Sequence, residues 1–405
     1  MLGLAELLRN NKAHCIELMA KEMGKPREQG AAEIEKCALV CEHYATHAAT
    51  YLADDIIATD ATKSYIHYEP LGVVLAVMPW NYPFWQVFRC AAPILMAGNA
   101  IVLKHASNVS GVAFYIESLF KLGGFPDGLL LSVVVHSDKV GKLIENPLIK
   151  AVTVTGSVGA GKAIAAKAGA MLKKTVLELG GSDPYIILED ADLEKAVQIC
   201  VDSRLINAGQ SCVSAKRFIV VSSVIKRVKE LFVSKMSECR MGPPLQVGID
   251  MGPLARHDLR DQVHHQVEAS VKLGAKVLLG GKITDGPGAF YPPTILTNVL
   301  PGMPAYNEEI FGPVASIIEV SEEKEAIKVA NDSIFGLGAA VFTKDISRGE
   351  RIASLELQAG CCFVNASVKS DPRLGFGGIK QSGYGRELSY LGIREFCNVK
   401  TVYIK

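Results

Sequence analysis

Cys212 closes the segment Asn207-Ala208-Gly209-Gln210-Ser211-Cys212. Gly209 lets the backbone turn tightly and come close to a ligand. A cysteine just past such a turn can attack a carbonyl carbon as its thiolate, and its own N–H can steady the resulting oxyanion. Read alone, the residue also fits a free thiol packed in a core, the usual place for one. A second candidate lies in residues 175–181, Thr-Val-Leu-Glu-Leu-Gly-Gly, where Glu178 is the one acid in an apolar strand. Burial raises a carboxyl pKa and suits it to act as a base near neutral pH. A glutamate at a strand end with its head in water fits the same residues. The third is Thr155-Gly156-Ser157-Val158-Gly159-Ala160-Gly161-Lys162, ahead of an Ala-rich stretch. Glycines between a strand and a helix let backbone N–H groups face a phosphate. The spacing is not GxGxxG, and a plain tight turn is the other reading.

The elements that must position these groups alternate. Residues 1–52 read as helices, with Gly24 and Pro26 punctuating the first. A strand is predicted at 64–68. Strands at 73–77, 100–103, 130–135 and 151–155, separated by helices at 84–97 and 111–122, predict an open parallel sheet. Such a sheet binds ligands beyond the carboxyl ends of its strands. A second α/β region follows, with helices at 193–207, 225–239, 254–273 and 324–331, and strands at 218–221 and 362–365. Residues 335–338, Phe-Gly-Leu-Gly, read as a turn. Residues 401–404 read as a strand in a tail, suited to pairing with another subunit. Neighbouring His264 and His265 point to different helical faces, which argues against a zinc pair. Cys37 and Cys41 share a helical face and read as packing, and Cys361 and Cys362 as structural.

The chain has 405 residues, 49% apolar and 21% charged, with a net charge of +1. That length predicts two domains, and that balance gives no field for nucleic acid or an anionic membrane. No apolar run reaches membrane-spanning length. The first residues lack a signal-peptide pattern. The ten scattered cysteines, without CxxC, point to reduced thiols in a cytoplasmic setting.

Seven stretches in order resemble the aldehyde dehydrogenase superfamily. They are Met78-Pro79-Trp80-Asn81-Tyr82-Pro83, Val102-Leu103-Lys104, Thr155-Gly156-Ser157, Glu178-Leu179-Gly180-Gly181, Gly209-Gln210-Ser211-Cys212, Glu308-Glu309-Ile310-Phe311-Gly312-Pro313-Val314 and Phe376-Gly377-Gly378-Ile379-Lys380-Gln381-Ser382-Gly383. Within it, Lys104-His105-Ala106 and Asp371-Pro372-Arg373-Leu374 are most similar to bacterial succinate-semialdehyde dehydrogenases. The resemblance implies an α/β subunit in three parts. These are a Rossmann-like nucleotide-binding domain (1–50 and 71–180), an α/β catalytic domain (181–385) and a small oligomerisation element (51–70 and 386–405). It implies oxidation of an aldehyde, with NADP or NAD, through a thiohemiacetal and a thioester on Cys212. Asn81 would hold the oxyanion and Glu178 would activate water. Trp80, Lys104, Ser107, Gly156, Ser157, Glu309 and Phe311 would bind the dinucleotide. No metal is implied, and a homodimer or homotetramer is expected. Relatives that prefer NAD often carry Glu where Ser107 stands. A small neutral residue does not repel a 2′-phosphate, so NADP should be accepted.

Three departures bear on that expectation. The sequence starts at the family's second helix-forming stretch, as if the N-terminus were shortened. Gly375 replaces the Pro that usually precedes Phe376, which frees the loop. Ile206 stands where semialdehyde enzymes present Arg or Gln to the far carboxylate, and Arg204 or Lys369 is expected to supply that charge instead. A less polar aldehyde, or an impaired truncated relative, is the alternative. An enzyme passing the acyl group to CoA would typically lack the acid at 178.

Overall fold

Val74, Leu75 and Ala76 are fully buried in the strand Val73–Met78. A strand covered on both faces needs such an apolar run. In the computed structural model, which describes residues 1–405, this strand lies inside a six-stranded sheet. The order is Gly383–Tyr384, Lys174–Glu178, Ile149–Thr155, Val73–Met78, Ala100–His105, Leu130–Ser132. All neighbours are parallel except Gly383–Tyr384, which runs antiparallel to Lys174–Glu178. The helices Trp85–Met96, Ser110–Leu122 and Val158–Ala170 join its strands. The strand expected over 130–135 stops at Ser132. Beyond it Val134 is exposed, so the segment has no second strand to cover it.

Residues 2–51 form three helices, Leu2–Asn10, Lys12–Met23 and Arg27–Tyr51. Gly24 closes the second, not the first, in the left-handed region at φ 76°. The earlier break is at Asn11, whose side chain donates to the Leu7 carbonyl and competes with the helix. Arg27–Tyr51 packs on Trp85–Met96, so the N-terminal helices brace the element that follows Asn81.

The second sheet has seven strands, ordered Lys276–Leu279, Thr294–Thr297, Val314–Val320, Arg217–Val221, Pro184–Ile187, Gly338–Phe342, Cys361–Val364. Only the first pair is antiparallel. The turn expected at 335–338 is instead strand: Phe335–Gly336 pairs with Ile379–Lys380, and Gly338 opens a buried strand. Gly338 packs against the Asp183 carboxylate, where no side chain fits. The helix expected from 254 starts at His257.

A third sheet joins Asp55–Ile56, Lys63–Pro70 and Cys397–Ile404, all antiparallel. The tail strand is longer than expected, and its partner is its own chain: Cys397 to Ile404 lie opposite Pro70 to Lys63. Its other edge stays open. No helix is long and apolar enough to cross a membrane.

Candidate active site

The helix Leu193–Leu205 ends in a tight turn at Ile206–Gly209. Asn207 and Ala208 are both left-handed at φ 53°, and Gly209 follows at φ 73°. Only glycine fits the last position, because a Cβ there would collide with the Gly312 carbonyl. Two non-glycine residues in this region store strain that neighbours must hold. Asn207 is the clasp. Its Nδ2 donates to the Asn81 carbonyl (2.8 Å) and the Gln210 carbonyl (3.1 Å), and its N–H donates to Gln29 Oε1 (2.7 Å). Asn81 Nδ2 donates to the same Gln210 carbonyl at 3.0 Å, and its Oδ1 accepts from Gln86 Nε2. The loop carrying Cys212 and the turn carrying Asn81 are thus tied together.

The turn after Asn81 is fixed from below. Glu33 Oε1 accepts the N–H groups of Phe84 and Trp85, each at 2.9 Å, at the start of the helix Trp85–Met96. A carboxylate there satisfies N–H groups that have no helical partner. Buried Lys25 pairs with Glu33 and lies 3.7 Å over the Tyr82 ring.

Burial pushes the Cys212 thiol up to about 12. Arg89 and Lys216 pull it down, and Glu309 and Glu178 add to the rise. Glu178 ends the strand Lys174–Glu178, and neither carboxyl oxygen has a hydrogen-bond partner. Burial holds this carboxyl well above the usual range, Arg89 opposes that, and Glu387 adds to it. Its side chain rests against Gly377, and its backbone carbonyl accepts the Gly156 N–H at 3.0 Å. Arg89 sits between the two acids: it pairs with Glu387 and donates to Thr155 Oγ1 at 3.1 Å.

Cys212 opens on a cavity of about 520 Å³, whose wall includes Tyr82, Trp85, Arg89, Ile206, Lys36, Lys369 and Phe376. Asn81 and Glu178 do not line it. They stand beside it, one through the Gln210 carbonyl and the other across Arg89. Lys369 lines the cavity, as expected. Arg204 does not: it is fully buried beneath the loop, where its Nη2 donates to the Gly209 carbonyl at 2.5 Å. The left-handed turn reverses the chain above it and closes it off from the cavity. Arg89 and Lys36 were missed. Trp85 and Arg89 are four apart on one helix and share a face, which was a signal available in the sequence. Lys36 donates to Ser370 Oγ at 2.7 Å and lies 4.3 Å over the Trp85 ring.

Five of the seven dinucleotide candidates lie at the carboxyl ends of three adjacent strands, and the other two, Glu309 and Phe311, precede the strand Val314–Val320 of the second sheet. Trp80 follows Val73–Met78, Lys104 and Ser107 belong to or follow Ala100–His105, and Gly156 and Ser157 follow Ile149–Thr155. The Trp80 and Phe311 rings meet edge-on, 5.9 Å apart. Ser157 caps the helix Val158–Ala170. Gly156 has nothing within 4 Å of where a Cβ would stand, so the backbone there is open to a ligand. Lys104 is lowered by partial burial alone, with no acid answering it. A helix N-terminus next to an open glycine fits a phosphate-bearing group, and a partnerless cation lies two strands away on the same sheet. Glu309 accepts the Gly181 N–H at 3.0 Å.

The aldehyde dehydrogenase family matches residues 1–402. A probable succinate-semialdehyde dehydrogenase (NADP(+)) of Synechocystis sp. is 48% identical over 400 residues, covering 99% of this chain and 88% of that one. A succinate semialdehyde dehydrogenase (NAD(P)+) of Escherichia coli is 47% identical over 400 residues, 99% of this chain and 86% of its own. The crystal structure of succinic semialdehyde dehydrogenase from Streptococcus pyogenes with NADP+ superposes with a TM-score of 0.97 at 39% identity, over 100% of this chain and 88% of that one.

Proposed function

The chain belongs to the aldehyde dehydrogenase family, and from that membership we propose that it oxidises succinate semialdehyde to succinate with NADP or NAD. The observation that carries the substrate is the cavity beside Cys212, walled by Arg89, Lys36 and Lys369. A short aldehyde with a carboxylate at its far end matches a nucleophile facing cations across a confined space. The three relatives described above carry that substrate in their names.

Cys212 attacks the aldehyde carbon as thiolate and forms the C–S bond of a thiohemiacetal. Asn81 has two amide protons, and one is committed to the Gln210 carbonyl. The other, with the Cys212 N–H, holds the oxyanion. A bound nicotinamide would supply the acceptor for the hydride that the carbon must lose for Cys212 to carry a thioester. Glu178 then takes a proton from water, whose oxygen attacks the thioester. The C–S bond breaks, the acid leaves, and the sulfur is free again. Trp80, Lys104, Ser107, Gly156 and Ser157 would hold the dinucleotide, and Glu309 and Phe311 would hold its nicotinamide riboside. In this reading residues 1–50 and 71–180 form the nucleotide-binding domain and 181–385 the catalytic domain, with the cavity beside Cys212 walled by residues of both.

The test is an aldehyde panel followed by absorbance of the reduced cofactor, with each cofactor. Succinate semialdehyde should give the highest kcat/KM, and NADP should serve at least as well as NAD, since no acid at 107 repels its 2′-phosphate. A preference for NAD above about tenfold, worth about 1.4 kcal/mol, refutes the cofactor assignment. A panel led by an uncharged aldehyde refutes the substrate.

The open edge of Cys397–Ile404, with Val399 and Ile404 exposed, supports a homodimer or homotetramer. Light scattering on the purified chain should give two or four times 43.5 kDa, and a monomeric mass would remove this assignment. The ten free cysteines fit a reducing, cytoplasmic setting.

A further inference from the structure

Lys216 is a lysine almost sealed from water, its side chain 3% exposed. A buried ammonium is costly unless every donor is met. Here all three protons go to one loop: Nζ donates to the carbonyls of Ser211 (3.0 Å), Cys212 (2.9 Å) and Ser214 (3.1 Å). Nζ also stands 3.6 Å from Glu309 Oε1. Its backbone is anchored, because the Lys216 N–H donates to the Asp183 carbonyl, just ahead of the interior strand Pro184–Ile187 of the second sheet. The charged or titratable groups that bear on it are Glu309, Arg204, Asp183 and Cys212.

We propose that Lys216 is the positioning residue of the nucleophile: its ammonium gathers the carbonyls of the loop that carries Cys212, fixes the direction of the Cys212 peptide, and ties that loop to Glu309. The inference rests on Cys212 being the nucleophile. Two consequences follow from one side chain. The three carbonyls converge on Nζ, so the peptide planes of residues 211–214 cannot rotate independently, and the Cys212 N–H keeps its aim. The positive charge behind the loop also favours the thiolate. Around the sulfur, Arg89 and Lys216 act in that sense, Arg89 more strongly, while Glu309 and Glu178 act against it. Because Glu309 lies between Lys216 and the Gly181 N–H, the acid assigned to the nicotinamide ribose and the nucleophile share a single cation.

The experiment uses the full chain with Lys216→Met, Lys216→Gln and Lys216→Arg, and Cys212→Ala as the labelling blank. Iodoacetamide labelling of Cys212 is measured against pH, beside aldehyde turnover and Tm. Lys216→Met should label about tenfold more slowly near pH 8, with the pH midpoint displaced upward, since each unit of pKa changes the thiolate fraction about tenfold. Lys216→Arg keeps the charge and should return labelling to within about threefold of wild type. A labelling midpoint unmoved in Lys216→Met while Tm falls would show a plain fold element and overturn the proposal. Should that variant not fold, Lys216→Gln retains a donor without the charge and is judged on the same midpoint. If the wild type turns over no aldehyde yet labelling still depends on Lys216, the enzymatic reading fails and this assignment stands.

Discussion

Replacing Cys212 with alanine should lower aldehyde oxidation by about 10⁵-fold or more, the scale seen when a covalent nucleophile is removed. Esterase activity, which needs the thiol but no cofactor, should vanish with it. The fold should persist, because the lost atom is half-open to a cavity rather than packed in a core, and Tm should move by about a few degrees at most. Turnover surviving in this variant would dismiss the mechanism outright. The wild type carries a pH signature too. Its thiol is pushed up to about 12 in the free protein, and only the thiolate attacks. Below that midpoint the thiolate fraction rises about tenfold per pH unit. Labelling of the free protein should therefore climb steadily into alkaline solution.

Glu178→Gln should separate the two halves of the reaction. Attack and oxidation do not need the acid, so one turnover's worth of reduced cofactor should still appear. Deacylation should slow by about 10²- to 10⁴-fold, and intact-mass measurement should find the acylated protein accumulating. An unacylated protein with slow turnover would move Glu178 to an earlier step. Stability should respond in the opposite sense to activity. Both oxygens of the Glu178 carboxyl lack hydrogen-bond partners, and its folded pKa lies above its unfolded value. Such a group favours folding at low pH, and that contribution is lost as pH rises from the ordinary carboxylate range through the raised value. Glutamine never ionises. The variant's Tm should accordingly match wild type in acid and exceed it in alkali.

Where local pattern carries the information, the sequence was readable. The run at 73–77 announces a strand buried on both faces, and Gly209 announces the tight turn before Cys212. Asn81, Glu178 and Cys212 stand out through their motifs; of the three only Cys212 lines the cavity, while Asn81 is tied to its loop through the Gln210 carbonyl and Glu178 lies beyond Arg89. Arg204 misled because its fate depends on Asn207 and Ala208 turning left-handed. Nothing in an alanine signals that conformation, which Asn207's contacts to Asn81 and Gln29 enforce. Arg89, Lys216 and Glu387 escaped for a related reason: a charged residue is normally solvated, and its burial is decided by partners distant in the chain. The strand Val314–Val320 was passed over because Ser316 and Glu319 interrupt its apolar run. Phe335–Gly338 looked like a turn, yet its glycines serve close packing against Asp183, Ile379 and the Gln358 carbonyl.

The buried surroundings of Glu178 are borrowed from far along the chain. Gly377 forms its wall, Gly383 is its sheet partner, and Glu387 shares its arginine. The strand at 63–70 likewise waits for residues 397–404. During synthesis a ribosome releases the nucleophile and the oxyanion donor long before these segments emerge, and contacts of such sequence separation form late. A chain stopped short of residue 377 would lack both the glycine wall and the strand partner of Glu178. Full turnover should therefore begin only when translation has passed the final turn of the fold.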